Sequence, residues 1–208
     1  PDKNEFNYPK NYKVNTARNS YSDVNIIIKT NVGDKIDFNA FSETLNNIQF
    51  NNVKDVPIEE NTGLDSRTEQ FKGLINPHVI RRAPFRVFEI LKPVHNNITA
   101  ETKYSLLNLK IYIPEKIDLG NHFVNLSFKI GSKTFDLKLK VNVYDFVIPR
   151  LSESNFFYTN WFNLSKMEEY HSVERWTDEW YIMLDKYAKV MADGRQNCII
   201  IPGELIYL

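Results

Sequence analysis

The 208-residue chain carries 26 basic and 26 acidic side chains, so its formal charge is zero and it lacks the electrostatic footprint that nucleic acid or an anionic membrane recruits. No apolar run reaches the ~20 residues of a membrane helix, and the amino-terminal PDKNEFNYPK lacks the basic-then-apolar order of a signal peptide, which describes a mature or trimmed soluble protein. The lone Cys198 excludes an intrachain disulfide and, inside the apolar run NCIIIP, reads as a buried, inert thiol.

Short strands are expected from the start of the chain. VNIIIKT and KIDFNAF flank a turn at Asn31 to Asp34, NNIQF is brief, and FRVFEILKPV follows Pro84. Asp55 to Gln70 reads as a polar loop or sheet edge, and its Glu59-Glu60 pair as solvated surface, because nothing near it in sequence would raise a carboxylate's pKa.

From Lys103 onward the alternation is stronger. Leu107, Leu109, Ile111 and Ile113 share one face of a first strand. Val124, Leu126, Phe128 and Ile130 do so in a second, and Phe135, Leu137, Leu139, Val141 and Val143 in a third. Gly131 to Lys133 supplies the tight turn that joins the last two as a hairpin. Regular short strands punctuated by Asn, Gly and Pro predict an antiparallel β-sandwich over residues 1–149.

Pro149 cannot donate to a central ladder, so the last sandwich strand should stop near Ile148, with RLSES as a linker. NFFYTNWF, Asn155 to Phe162, is apolar without alternation, as in a strand buried on both faces. A helix follows, with Trp180, Met183, Leu184, Tyr187, Ala188 and Met191 on one stripe, Thr177 as N-cap, Asp178 and Glu179 in the first turn, and Gly194 as a left-handed stop. NCIIIP, Asn197 to Pro202, reads as a second buried strand. Residues 150–208 therefore predict a linker and a βαβ unit with parallel strands, and a (β/α)8 barrel needs roughly 250 residues, so most of one would be missing.

The runs VYDFVIP (Val143 to Pro149), NWF (Asn160 to Phe162), YHSVERWTDEW (Tyr170 to Trp180) and DGRQNCIIIP (Asp193 to Pro202) resemble bacterial proteins of glycoside hydrolase family 123. In that family a β-sandwich precedes a TIM-type barrel, and known members act on β-linked N-acetylgalactosamine. The resemblance implies substrate-assisted hydrolysis, in which the acetamido oxygen attacks the anomeric carbon while one carboxylate orients it and another acts as general acid. It also implies a secreted or periplasmic location. The family's catalytic Asp-Glu pair falls on a later barrel strand than any here. The chain departs from the family where a histidine and an aspartate commonly stand, holding Asn163 and Ser165, and where a histidine commonly precedes the helix stop, holding Asp193.

Barrel sites form at the carboxyl ends of strands, which selects Asn160, Trp161 and Glu204 as candidate substrate-binding residues, with Trp161 stacking on a sugar and Asn160 bonding hydroxyls. The alternative for Trp161 is packing under a loop. Asp178-Glu179 is explained by helix capping and is rejected as a catalytic pair, so no catalytic residue is expected in this chain. His78, His95, His122 and His171 lack metal-ligand spacing, and no phosphate-cradling glycine motif occurs, so neither metal nor cofactor is expected. Carbohydrate is the expected partner, with self-association or a second chain as a way to complete the barrel. A carbohydrate-binding or purely structural sandwich module is the alternative reading.

Overall fold

A computed structural model describes residues 12–59, 81–160 and 163–198. The chain divides into two compact units, residues 1–148 and 149–208.

The first unit is a β-sandwich, and its strand order follows from where apolar side chains alternate. Its strands are β1 (Tyr12–Arg18), β2 (Ser20–Lys29), β3 (Lys35–Phe41), β4 (Ile48–Ile58), β5 (Phe85–Val94), β6 (Asn97–Thr99), β7 (Tyr104–Ile113), β8 (Gly120–Ile130) and β9 (Lys133–Val147). One sheet runs β1-β9-β8-β3-β6 and the other β2-β7-β4-β5. The inward face expected for β7 is fully buried at Leu107, Leu109, Ile111 and Ile113, and Val124, Leu126 and Phe128 of β8 and Leu139, Val141 and Val143 of β9 bury against it. β8 and β9 form the expected hairpin, with Gly131 at φ +58° where a side chain would be strained. β7 does not join that hairpin; it crosses to the facing sheet.

One local expectation changes. The sandwich is not purely antiparallel, because β1 pairs in parallel with β9. Nearly the whole domain lies between those two strands, which supplies the long connection that a parallel pair requires. β1 then passes to the opposite sheet through Asn19, whose φ of +53° is tolerated by a short amide side chain, and which donates to the Ile148 carbonyl at 2.7 Å. Of the polar loop or sheet edge expected from Asp55, Asp55 to Ile58 forms the edge, as a continuation of β4. Beyond Val53 this strand has lost β7 and pairs only with β5, so Pro57 sits on a sheet edge where its missing N–H does no harm. The rest of that expected loop or edge, from Glu60 to Gln70, lies outside the described residues.

Polar side chains reinforce the register. Gln49 donates to Asn51, Asn51 to Asn108 and Asn108 to Asn25, each at 3.1 Å, in one direction across β4, β7 and β2. Asn51 and Asn108 are buried, so each amide satisfies groups the other would leave stranded. At the sandwich end near Arg18, buried His122 ties two loops. A carbonyl only accepts, so Nε2 donates to Asp118 O at 2.8 Å and Nδ1 accepts from Thr44 Oγ1 at 2.8 Å.

The second unit contains a 3₁₀ turn (Leu151–Glu153) and two helices, α1 (Leu164–His171) and α2 (Asp178–Asp193). α2 is as expected, with Trp180 N donating to Thr177 Oγ1 at 3.3 Å and Asp178 and Glu179 in the first turn. Its stop is shifted: Gly194 has φ −76°, and Arg195 takes the left-handed conformation at φ +64°. The chain therefore turns one residue later than the glycine suggests, and Gln196 N closes back on Met191 O at 2.9 Å. α1 was not expected. Asn163 caps it by accepting from Lys166 N at 2.9 Å, and Leu164 and Met167 bury against Trp180.

Of the two expected barrel strands, Asn155 to Asn160 forms no strand among the described residues, while Trp161 and Phe162 of the first and Ile199 to Pro202 of the second lie outside them. Phe156 and Phe157 are 75% and 80% exposed, and the start of a barrel is not established. Cys198, expected to be buried, is exposed.

Leu109 has no exposure and lies opposite Phe50, so Leu109→Ala should cost about 2 to 5 kcal/mol of sandwich stability. Asn108→Ala should cost about 1 to 3 kcal/mol by leaving buried Asn51 without its acceptor. Urea unfolding of the two variants measures both.

Candidate functional site

Of the three sequence-selected residues, Asn160 is described; Trp161 and Glu204 lie outside the described residues. Asn160 is exposed, and its amide exchanges hydrogen bonds with the Tyr158 hydroxyl at 3.0 and 3.2 Å. The segment bearing them lies beside the chain that leaves α2. Tyr158 O accepts from Asn197 N at 3.1 Å and Cys198 N at 3.2 Å. The Asn197 side chain then stands in for further ladder bonds, accepting from Tyr158 N at 2.8 Å and donating to Phe156 O at 2.9 Å.

Gln196 is buried beneath this junction. Its Nε2 donates to Cys198 O at 3.1 Å and to Thr159 Oγ1 at 3.4 Å, while its Oε1 is buried with no partner. Phe156, Phe157, Tyr158 and Asn160 therefore form an exposed aromatic and amide surface on a framework held by Gln196 and Asn197. Such a surface can stack on a ring and bond to hydroxyls. Tyr158, Gln196 and Asn197 were missed in the sequence, where the two amides only punctuate the approach to an apolar run.

The departures from the family pattern have structural roles here. Asn163 is the α1 N-cap, and Ser165 Oγ accepts from Arg175 Nη2 at 3.3 Å. Arg175 in turn pairs with Glu168, Nε to Oε1 at 2.6 Å and Nη2 to Oε2 at 3.1 Å, and the Trp180 indole donates to the same Oε1 at 2.9 Å. The hydrogen bond from Arg175 holds the Glu168 carboxyl below the usual range, with the Trp180 bond and the Arg175 charge adding to it against the cost of burial. Glu168 is thereby committed to joining the two helices. Trp176, at φ +73°, precedes the cap and packs on Trp180 and Tyr181, stapling the entry to α2.

Asp178 and Glu179 remain helix-start residues. His171 bonds the Tyr187 hydroxyl at 2.9 Å and His122 bonds loops, while His78 is outside the described residues. Among the described residues no group of three or more His, Cys, Asp or Glu side chains is arranged to hold a metal. No helix among them is long and apolar enough to cross a membrane.

No family model matches the sequence, and no curated protein matches it. Its fold is similar to that of a family 123 glycoside hydrolase from Clostridium perfringens, described for glycolipid glycan hydrolysis, with a TM-score of 0.68 and 16% identity. The likeness covers 89% of this chain and 32% of that one, so this chain spans about a third of its length. At that identity it shows a likeness of fold alone. A PapD-like domain of human CEP192 also aligns, at a TM-score of 0.30 and 6% identity, too remote to bear on the argument.

Glu168 generates a pH prediction. A carboxyl more acidic in the folded than in the unfolded state stabilises the fold fully above its ordinary value of 4.5, and that contribution is lost as pH falls through the lower folded value. Stability of the helix pair, followed by tryptophan fluorescence in urea, should therefore decline below about pH 4.5. Glu168→Gln should be less stable at pH 7 and show a flatter decline in acid.

Proposed function

We propose that this chain forms the amino-terminal portion of a glycoside hydrolase acting on β-linked N-acetylhexosaminides of the N-acetylgalactosamine class. In this reading the second unit begins a barrel, the sandwich supports it, and the catalytic carboxylates belong to later strands. The observation that carries the reading is the likeness of fold to a family 123 enzyme over 89% of this chain, joined to the sequence resemblance at NWF and DGRQNCIIIP. The exposed Tyr158 and Asn160 support a role in touching sugar, with Trp161 and Glu204 beside them in the proposal. A secreted or periplasmic location belongs to the same proposal.

Hydrolysis needs an acid and a second group to stabilise the oxocarbenium-like transition state. Among the described carboxylates of the second unit, Glu168 is committed to Arg175 and Asp178 and Glu179 to the start of α2. The 208-residue chain should therefore bind but not turn over.

Titrating the purified chain with N-acetylgalactosamine should quench tryptophan fluorescence saturably. Trp161→Ala should abolish the quench, and Asn160→Ala should weaken binding about fivefold, the worth of one hydrogen bond. Turnover of a chromogenic β-N-acetylgalactosaminide by the chain alone would refute the placement of the catalytic groups. An unquenched wild type would favour a structural module instead.

A further inference from the structure

A cleft of about 740 Å³ opens between the two sheets at the end of the sandwich bounded by the β2–β3 turn and the β8–β9 hairpin. Phe135 shows why it is there. It has the same parity along β9 as buried Leu139 and Val141, and it lies opposite Phe128, which is almost fully buried, yet it is 50% exposed. An inward-facing aromatic ring is left uncovered because the sheets part at this rim. Ile130 and exposed Val32 extend the apolar floor.

Around that floor stand three lysines, Lys29 and Lys103 from the four-stranded side and Lys133 from the hairpin. None has a carboxylate partner among the described residues. The single acid lining the cleft, Asp34, is engaged locally, accepting from Thr30 Oγ1 at 2.5 Å and Asn31 N at 3.0 Å. In a chain of zero formal charge, this is a local excess of positive charge gathered over an aromatic face.

We propose that this cleft binds an anionic saccharide, one whose ring lies on Phe135 and whose carboxylate or sulfate groups meet Lys29, Lys103 and Lys133. The apolar face of a sugar ring suits an aromatic plane, and pendant anions suit ammonium groups that bring no carboxylate of their own, Lys103 lying only over the Tyr104 ring at 6.0 Å. The volume falls within the ~300 to 1,000 Å³ of small-ligand sites. A peptide is disfavoured by the backbone: Thr30 N, Gly33 N and Ala100 N already donate to Lys103 O, Ala100 O and Asp34 O, so these amides offer no ladder for an added strand. The cleft lies at the opposite end of β9 from Val147, about 45 Å away along that strand.

Calorimetric titration of the whole chain with a glucuronate-containing disaccharide, its sulfated form, the uncharged disaccharide lactose and polyglutamate tests the proposal. Both anionic disaccharides should bind saturably and lactose should not. The triple variant Lys29→Ala, Lys103→Ala, Lys133→Ala should bind about tenfold more weakly, the summed effect of three exposed charge contacts. Phe135→Ala should also weaken binding. A control triple, Lys110→Ala, Lys138→Ala, Lys140→Ala, removes equal charge elsewhere and should bind as wild type. Equal weakening in both triples, tighter binding of polyglutamate, or no saturable binding in a wild type with a normal unfolding transition would overturn it.

Discussion

The fold turns on one inserted ring. Phe50, from the four-stranded sheet, reaches Phe38 at 4.5 Å between centroids and meets Phe128 edge-on at 6.4 Å, both on the five-stranded sheet. Neither sheet could bury its apolar face alone, and this insertion fixes how one faces the other. The buried rows of β7, β8 and β9 then follow, since each strand must turn its alternate residues toward that contact or expose them. Where the contact runs out, at the rim beyond Phe128, Phe135 is uncovered and a cleft opens.

Register needs a second device, because apolar burial only tells a strand which face points inward. The directed chain of amides from Gln49 to Asn25 penalises any slip, since a displaced strand would leave buried Asn51 and Asn108 unpaired. An outer pair, Asn142 to Asn15 at 3.3 Å, repeats the arrangement where β1 joins β9. The abundance of asparagine, uninformative as composition, thus has a physical use.

The second unit is built on different terms. Leu164, Met167 and Trp180 form a small core, and the Arg175–Glu168–Trp180 contacts add a partly buried polar joint. Around it Tyr170, Tyr181, Ile182 and Val190 stay exposed with Phe156 and Phe157. The likeness of fold to the Clostridium perfringens enzyme covers 89% of this chain.

Much was legible in the chain. Period-two alternation located the inward rows of β7 and β8, the Gly131 turn gave the hairpin, and Thr177 gave the start of α2, because each is a local consequence of backbone geometry. α1 was hidden because its eight residues bury only two side chains, too few for a stripe. The tertiary structure alone decided that β7 leaves its neighbours for the opposite sheet and that β1 runs parallel to β9. It also decided that Phe135 lines an opening rather than a core. Alternation states which side chains share a face; which face lies opposite, and where it ends, is settled only when two sheets compete for the same buried surface.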